Sequence, residues 1–122
     1  MAGMGGRKLA VLYEGWLTRY EGMLMFRSAK RRFGVLRGNT LSLFKTRAQA
    51  AVGDENAVVA VITLLRTIAC HAVADSGELH HAFELMTADS KNMVFGTDSL
   101  REQSAWSGLM ACLLACLLAH LA

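Results

Sequence analysis

The sequence of 122 residues contains no proline and only three cysteines, Cys70, Cys112 and Cys116. Their number is odd and none of them forms a C-x-x-C pair, so we expect neither a disulfide framework nor a zinc site. A reduced, cytoplasmic compartment fits this usage, with the cysteines as small packing residues. Aromatic residues make up 7% of the chain and hydrophobic residues 53%, which favours a packed globule over a disordered tail.

No hydrophobic run is long enough to predict a membrane-spanning helix. The apolar tail over residues 108–122 has 15 residues, whereas about 20 are needed to cross a bilayer. Residues 9–12 are likewise too short a run for the core of a secretory signal. A chain of this length is expected to form one domain that buries about two-thirds of its unfolded surface.

Acidic residues are scarce in the first part of the chain. Residues 1–47 hold ten of the 13 lysines and arginines but only two acids, Glu14 and Glu21, which gives a net charge of +8. Residues 48–122 have a net charge of −5. Such asymmetry orients a protein on an anionic surface. Nucleic acid is not an expected partner, because aromatic residues are not interleaved with the cations.

Patterns of catalytic chemistry are missing as well. The sequence has no G-x-x-x-x-G-K-[ST] loop, no Ser/His/Asp or Cys/His arrangement and no paired carboxylates beside a predicted cleft. His80 and His81 adjoin a predicted strand start, where alternation would turn them to opposite faces, so they are not expected to share a metal ion. We therefore expect no enzyme, no metal and no cofactor.

Short β-strands dominate the predicted secondary structure. Three of them, at residues 12–19, 29–37 and 40–45, carry the motifs G-W-L-T-R, K-R-R-F-G-V-L and G-N-T-L-S-L-F-K. A long loop over residues 46–57 follows, because this segment has no apolar period. Further strands are predicted at residues 58–64, 67–73, 80–86 and 92–97. The period then becomes helical behind a capping box at Ser99 and Glu102, which predicts a helix over residues 100–121.

The three motifs, in this order and at these separations, resemble the first three strands of a pleckstrin-homology domain, and Trp106 lies where that family carries its helix tryptophan. The resemblance covers residues 14–117. It implies a mainly β fold, a seven-stranded bent barrel or sandwich capped by one C-terminal α-helix, over residues 12–122 after a flexible lead at 1–11. It also implies a non-enzymatic module of the cytoplasm and the peripheral membrane that binds phosphoinositides or other anionic lipids.

Strand alternation places four cations on the inner side of the barrel, at its open end. Arg19 follows the inward Leu17 by two residues, and Lys30 and Arg32 share one side of the second strand. This spacing resembles the family's basic-x(n)-basic-x-Arg pattern for phosphoinositides, in which arginine forks and lysine point charges bind phosphate oxygens. The residues expected to bind the head group are Arg19, Lys30, Arg32 and Lys45.

The loop between the first two strands adds an apolar run. If exposed beside the cations, this run would enter the lipid interface. The alternative is that it extends the hairpin and packs on the outer face. The predicted membrane contacts are Met23, Leu24, Met25, Phe26 and Arg27.

Two departures from the family pattern affect the expected binding. Gly34 stands where the family has a core phenylalanine, which predicts a cavity or a bulge. Leu43 stands where the family's tyrosine helps to hold a phosphate, so strong selectivity for one lipid is not expected.

The apolar end of the predicted helix supports an alternative function, that of a protein-interaction adaptor with weak or no lipid binding. A barrel covers only one stripe of a helix, so we expect Leu114, Leu118 and Leu121 to need another surface. A protein partner or a second copy of the chain would provide it.

Overall fold

Seven antiparallel strands and a long C-terminal helix build the domain, as the sequence predicts. The computed structural model describes residues 10–121, apart from the side chains of Leu24, His120 and Leu121. The predicted lead over residues 1–11 therefore lies almost wholly outside the described residues. The strands are β1 (Val11–Glu21), β2 (Ser28–Arg37), β3 (Thr40–Phe44), β4 (Val58–Thr63), β5 (Thr67–Val73), β6 (Ala82–Thr87) and β7 (Met93–Phe95).

The strands form two sheets that are linked through the first strand. Strands β1 to β4 form one sheet in that order, and β5 to β7 form the other. At 11 residues β1 is the longest strand, and Thr18 near its end pairs with Gly96 just after β7, through backbone hydrogen bonds of 2.9 and 2.7 Å. The inward side chains of both sheets form the main core, which includes Leu17, Leu36 and Phe83.

Helix α2 (Leu100–Leu121) closes the core. Trp106 is fully buried, with its indole stacked on Phe83 and its edge against the ring of Tyr13 at a centroid distance of 4.8 Å. The Ser99 hydroxyl accepts a hydrogen bond from the Glu102 amide at 3.1 Å, which is one half of the predicted capping box. The Glu102 carboxylate accepts a hydrogen bond from the Tyr13 hydroxyl at 2.6 Å, which connects the helix to β1.

The segment predicted as a long loop contains a short helix, so this prediction was wrong. Helix α1 (Arg47–Val52) is too short to show an amphipathic period, and its ends specify it instead. The Thr46 hydroxyl accepts from the Gln49 amide at 3.1 Å, and Gly53 ends the helix in the left-handed conformation at φ 72°. A 3₁₀ turn at Glu55–Ala57 then leads into β4.

Gly34 causes neither a cavity nor a bulge, contrary to the prediction. A Cβ atom on Gly34 would lie 2.9 Å from Leu17 Cδ1 and 3.3 Å from Leu41 Cδ1. These neighbouring leucines occupy the space that a larger side chain would take, and β2 pairs regularly with both neighbours through Gly34.

The apolar end of α2 is better covered than predicted. Leu114 is only 4% exposed and belongs to the main core, so the prediction that it needs another surface was wrong. It follows Met110 by four residues and Trp106 by eight, which places all three on one face. Leu118 is 52% exposed, and the side chain of Leu121 lies outside the described residues.

By length and composition, the stretch Leu100–Ala119 of α2 also qualifies as a membrane-spanning helix, with a mean hydropathy of 1.3. The apolar tail from residue 108 is by itself too short to span a bilayer, so this result was not expected from the sequence. Only 17% of this window is buried in the structure, where Trp106, Met110 and Leu114 lie in the barrel core.

Replacing Trp106 by alanine should lower the free energy of unfolding by about 3–5 kcal/mol, because it leaves a large cavity under α2. Urea denaturation of the variant and the parent measures this loss. The control is Leu118→Ala on the same helix, where an exposed side chain should change stability by less than about 0.5 kcal/mol. Equal losses in the two variants would contradict the packing described above.

Candidate functional site

The pairing of β1 with β2 brings three of the four predicted cations onto one face. Leu17 lies opposite Arg32, and Arg19 lies opposite Lys30. Residues directly opposite each other in an antiparallel pair share a face, and Leu17 is buried in the core, so this face is the inner one. Lys45 comes directly after the end of β3, on the far side of β2 from Arg19, and is exposed.

An acidic side chain that the sequence analysis did not assign to the site lies among these cations. Glu21 accepts a hydrogen bond from Arg19 Nε at 2.8 Å. It also accepts two from Arg32, at 2.6 Å from Nη2 and 3.0 Å from Nε, so both carboxylate oxygens are engaged. Strand parity could have identified it, because Glu21 follows Arg19 by two residues on the same strand and therefore faces the same way.

The charge of this cluster remains positive. Hydrogen bonds from Arg32 and then from Arg19 lower the pKa of Glu21 from 4.5 to about 2, so the carboxylate is ionised at physiological pH. The two arginines and Glu21 thus keep one net positive charge. Lys30, on the same face, adds to it, since it forms no salt bridge with any described residue.

The other cations near the hairpin have different surroundings. Arg31 faces outward, as strand parity predicts, and its guanidinium lies 4.2 Å from the centre of the Trp16 ring and 2.6 Å from a carboxylate oxygen of Asp98. Arg27 lies over the ring of Tyr20 at 5.4 Å. Arg31 therefore takes no part in the inner cluster.

The tip of the β1–β2 loop is apolar and exposed. A 3₁₀ turn, Leu24–Phe26, forms the tip, and the exposed fractions of Met23, Met25 and Phe26 are 77%, 90% and 84%. The alternative in which these three residues pack on the outer face of the hairpin is therefore wrong. The side chain of Leu24 lies outside the described residues.

Gly22 makes the turn into this tip, at φ 105°, where a Cβ atom would lie 2.5 Å from the Phe26 carbonyl oxygen. A side chain at this position would therefore be strained and would clash, so the sharp turn requires glycine.

A cleft of about 480 Å³ opens between the end of β1, the β5–β6 connection and β7, and Arg19, Arg27 and Glu84 line it together with apolar residues. No sequence pattern predicted this cleft. Tyr20 closes one side of it, with its hydroxyl accepting a hydrogen bond from the Glu78 amide at 2.9 Å. Arg19 thus borders both the inner cluster and the cleft.

Within residues 10–121, no group of histidine, cysteine or acidic side chains could hold a metal ion. His80 pairs with Asp75 at 3.2 Å and lies before β6, which begins at Ala82 rather than at residue 80. Burial raises the pKa of the Cys70 thiol to about 12, so this cysteine is a packing residue. Cys112 and Cys116 are exposed on α2, which differs from their predicted packing role.

Comparison with known proteins identifies the fold and the family. The family model for the PH domain matches residues 11–109, most of the chain. The chain therefore belongs to the pleckstrin-homology (PH) domain family, whose members are membrane- and protein-interaction modules and generally not enzymes. No curated protein sequence matches it significantly.

Solved structures of PH domains superpose on most of the chain. The C-terminal PH domain of pleckstrin, in complex with D-myo-Ins(1,2,3,5,6)P5, has a TM-score of 0.66 at 17% identity, over 88% of this chain and 99% of that one. The Slm1 PH domain, in complex with inositol 4-phosphate, has a TM-score of 0.66 at 20% identity, over 86% and 97%. A chain in the crystal structure of SifA and SKIP has a TM-score of 0.65 at 18% identity, over 84% and 97%. At these identities the likeness establishes the fold.

The lowered pKa of Glu21 predicts an acid dependence of stability. Because the pKa is lower in the folded than in the unfolded chain, the stabilisation is complete above about pH 4.5 and is lost as the pH falls towards about 2. Its size is at most about 3 kcal/mol, and solvent screening of these partly exposed charges makes it smaller. Chemical denaturation across this pH range should show that the difference in the free energy of unfolding between the parent and Glu21→Gln shrinks as the pH falls.

The control is Glu14→Gln, at an exposed position of β1. If the stability of Glu21→Gln and that of Glu14→Gln depended on pH in the same way, the arginine contacts would have no energetic effect.

Proposed function

We propose that this chain is a non-enzymatic membrane-targeting module that binds phosphoinositides or other anionic lipids at the cytoplasmic face of a membrane. The proposed head-group ligands are Arg19, Lys30, Arg32 and Lys45. The proposed membrane contacts are Met23, Leu24, Met25, Phe26 and Arg27.

The observation that carries this proposal is the adjacency of a positive cluster and an exposed apolar tip at one end of the β1–β2 hairpin. Arg19 and Lys30 lie opposite each other where the hairpin enters the loop, and Met25 and Phe26 are almost fully exposed a few residues further on. Cations attract lipid phosphates, while the insertion of apolar side chains between the head groups and acyl chains lowers the free energy. One loop thus offers both attractions to the same surface.

Structural relatives support the choice of ligand. The C-terminal PH domain of pleckstrin and the PH domain of Slm1 were solved with inositol phosphates, and Slm1 also with phosphoserine. All of these ligands present phosphate oxygens, which accept hydrogen bonds from arginine guanidinium groups and lysine ammonium groups.

The site favours an anionic surface over one particular lipid. Leu43, at the position of the family's phosphate-holding tyrosine, is fully buried and offers no hydroxyl group. Lys30 and Lys45 are exposed side chains on flexible stems, which attract phosphate without fixing its orientation. We therefore propose that charge density at the membrane matters more than the position of each phosphate on an inositol ring.

The alternative function is that of a protein-interaction adaptor. Leu118 on α2 is 52% exposed, and Ala111, Cys112 and Ala115 are exposed on the same helix. A partner helix or a second copy of the chain would cover this face. Burial of Leu114 reduces the apolar area that needs cover, so the lipid-binding function is the better supported of the two. If the chain is an adaptor without lipid binding, the parent protein will fail to sediment with anionic vesicles.

Lys30→Ala combined with Lys45→Ala should weaken binding to phosphatidylcholine vesicles doped with phosphoinositides by about tenfold or more, since hydrogen bonds to charged groups contribute about 1.5–3 kcal/mol each. The thermal midpoint should stay unchanged, because neither lysine forms a salt bridge with a described residue. Vesicle sedimentation at two salt concentrations measures the effect, and binding of the parent should weaken as salt rises.

The matched control is Arg66→Ala combined with Arg101→Ala, which removes the same charge elsewhere. Arg66 lies in the β4–β5 turn, where the neighbouring Leu64 amide donates to the Asn39 carbonyl at the far end of β2 and β3. Arg101 lies near Tyr13, at the opposite end of β1. If both double variants weaken binding equally, net charge and not the site is responsible.

Met25→Ser combined with Phe26→Ser should weaken vesicle binding by about tenfold or more, because burying one large apolar side chain contributes about 1.5–3 kcal/mol. The affinity for a soluble inositol phosphate should not change, because the head group does not need the tip. Calorimetry with myo-inositol hexakisphosphate and vesicle sedimentation separate the two. The control is Leu65→Ser, which removes a similarly exposed side chain in the β4–β5 turn. Unaltered vesicle binding in the tip variant would refute membrane insertion.

A further inference from the structure

The Glu21 carboxylate occupies the same donors that a lipid phosphate would use. Arg32 binds it in a bidentate manner, with Nη2 2.6 Å from one oxygen and Nε 3.0 Å from the other. Arg19 Nε adds a third hydrogen bond at 2.8 Å. A paired fork on two oxygens is also the geometry with which arginine recognises phosphate.

The three side chains are shielded enough for these contacts to matter. The exposed fractions of the side chains are 13% for Arg32, 18% for Glu21 and 25% for Arg19. Charge-assisted hydrogen bonds in such partly buried positions are stronger than those on an open surface. A phosphate that approaches this face therefore meets two arginines of which Arg19 Nε and Arg32 Nε and Nη2 already have an anionic partner.

We propose that Glu21 is an internal competitor of the lipid phosphate: a phosphate gains Arg19 Nε and the Nε–Nη2 fork of Arg32 only by displacing the Glu21 carboxylate, so Glu21 lowers the affinity of the site. This inference rests on the proposed function and deepens it. Lys30 and Lys45 remain available to make the first contact. A surface dense in phosphate can supply enough charge to displace Glu21, whereas a sparse one cannot.

Acidification within the physiological range does not release this contact. Arg32 and Arg19 hold the pKa of Glu21 at about 2, and Lys30, opposite Arg19 on the same face, adds a further positive charge nearby. Displacement therefore depends on competing anions and on ionic strength.

The test compares Glu21→Gln with Glu14→Gln, two isosteric changes that each remove one negative charge from β1. Glu14 is exposed and lies opposite Val35, away from the cluster. The probes are myo-inositol hexakisphosphate, measured by calorimetry, and phosphatidylcholine vesicles doped with phosphoinositides, measured by sedimentation. We expect Glu21→Gln to bind both probes about tenfold tighter than the parent, and Glu14→Gln to differ by less than about twofold.

A double-mutant cycle separates competition from a merely structural role. Arg32→Gln should weaken binding more in the Glu21→Gln background than in the parent, because only there is the Arg32 fork unoccupied. Glu21→Asp keeps the charge but has a shorter side chain, so it should tighten binding by a smaller factor. It replaces Glu21→Gln in the test if Glu21→Gln does not fold.

The outcomes for the two proposals are distinct. If the parent binds both probes and the Glu21 variants bind no tighter than Glu14→Gln, this inference is overturned and the proposed function stands. If only the Glu21 variants bind, the inference holds and the parent is not a lipid-binding module by itself. If no variant binds either probe, both proposals fail.

Discussion

The pairing of β1 with β2 is the constraint on which both the core and the candidate site depend. With Leu17 opposite Arg32 and buried in the core, the alternation of the strand puts Arg19 and Glu21 on the same face. A slip of one residue would move every one of these side chains to the opposite face. The two backbone hydrogen bonds between Thr18 and Gly96 join the same strand to the second sheet, so the register also positions β7 and helix α2.

The same register explains why an acid lies among the cations. Arg19 and Arg32 leave the core on neighbouring strands and are only partly exposed, so two positive charges come close together where water screens them poorly. Glu21 at the end of β1 relieves this repulsion in the absence of a ligand. A phosphate group would relieve it in the same way, which is why the structural stability of the hairpin and the proposed binding of lipids involve the same atoms.

The loop tip serves a different physical purpose from that of the cluster behind it. Gly22 turns the chain sharply and leaves Met25 and Phe26 in solvent, where apolar side chains are unfavourable unless another phase or partner covers them. Long-range charge attraction acts over about 8 Å at physiological salt, whereas apolar insertion acts only on contact. The proposed module would therefore approach by charge and remain bound through the tip.

Period and spacing in the sequence were sufficient for the strands, the C-terminal helix and the inward direction of Arg19, Lys30 and Arg32, because alternation within one element depends on the backbone alone. The position of Trp106 came from the family resemblance. Features that depend on what lies opposite an element were missed. Leu17 and Leu41 fill the space at Gly34, the barrel covers Leu114, and Arg32 on the neighbouring strand captures Glu21. Helix α1 was missed because six residues are too few to show a helical hydrophobic period, although the capping residues at its two ends are recognisable in the sequence. The sequence by itself determined which side the residues of β1 and β2 face. Only the tertiary structure decided which partner each of them meets there and which face of α2 is covered, since that depends on distances between elements remote in the chain.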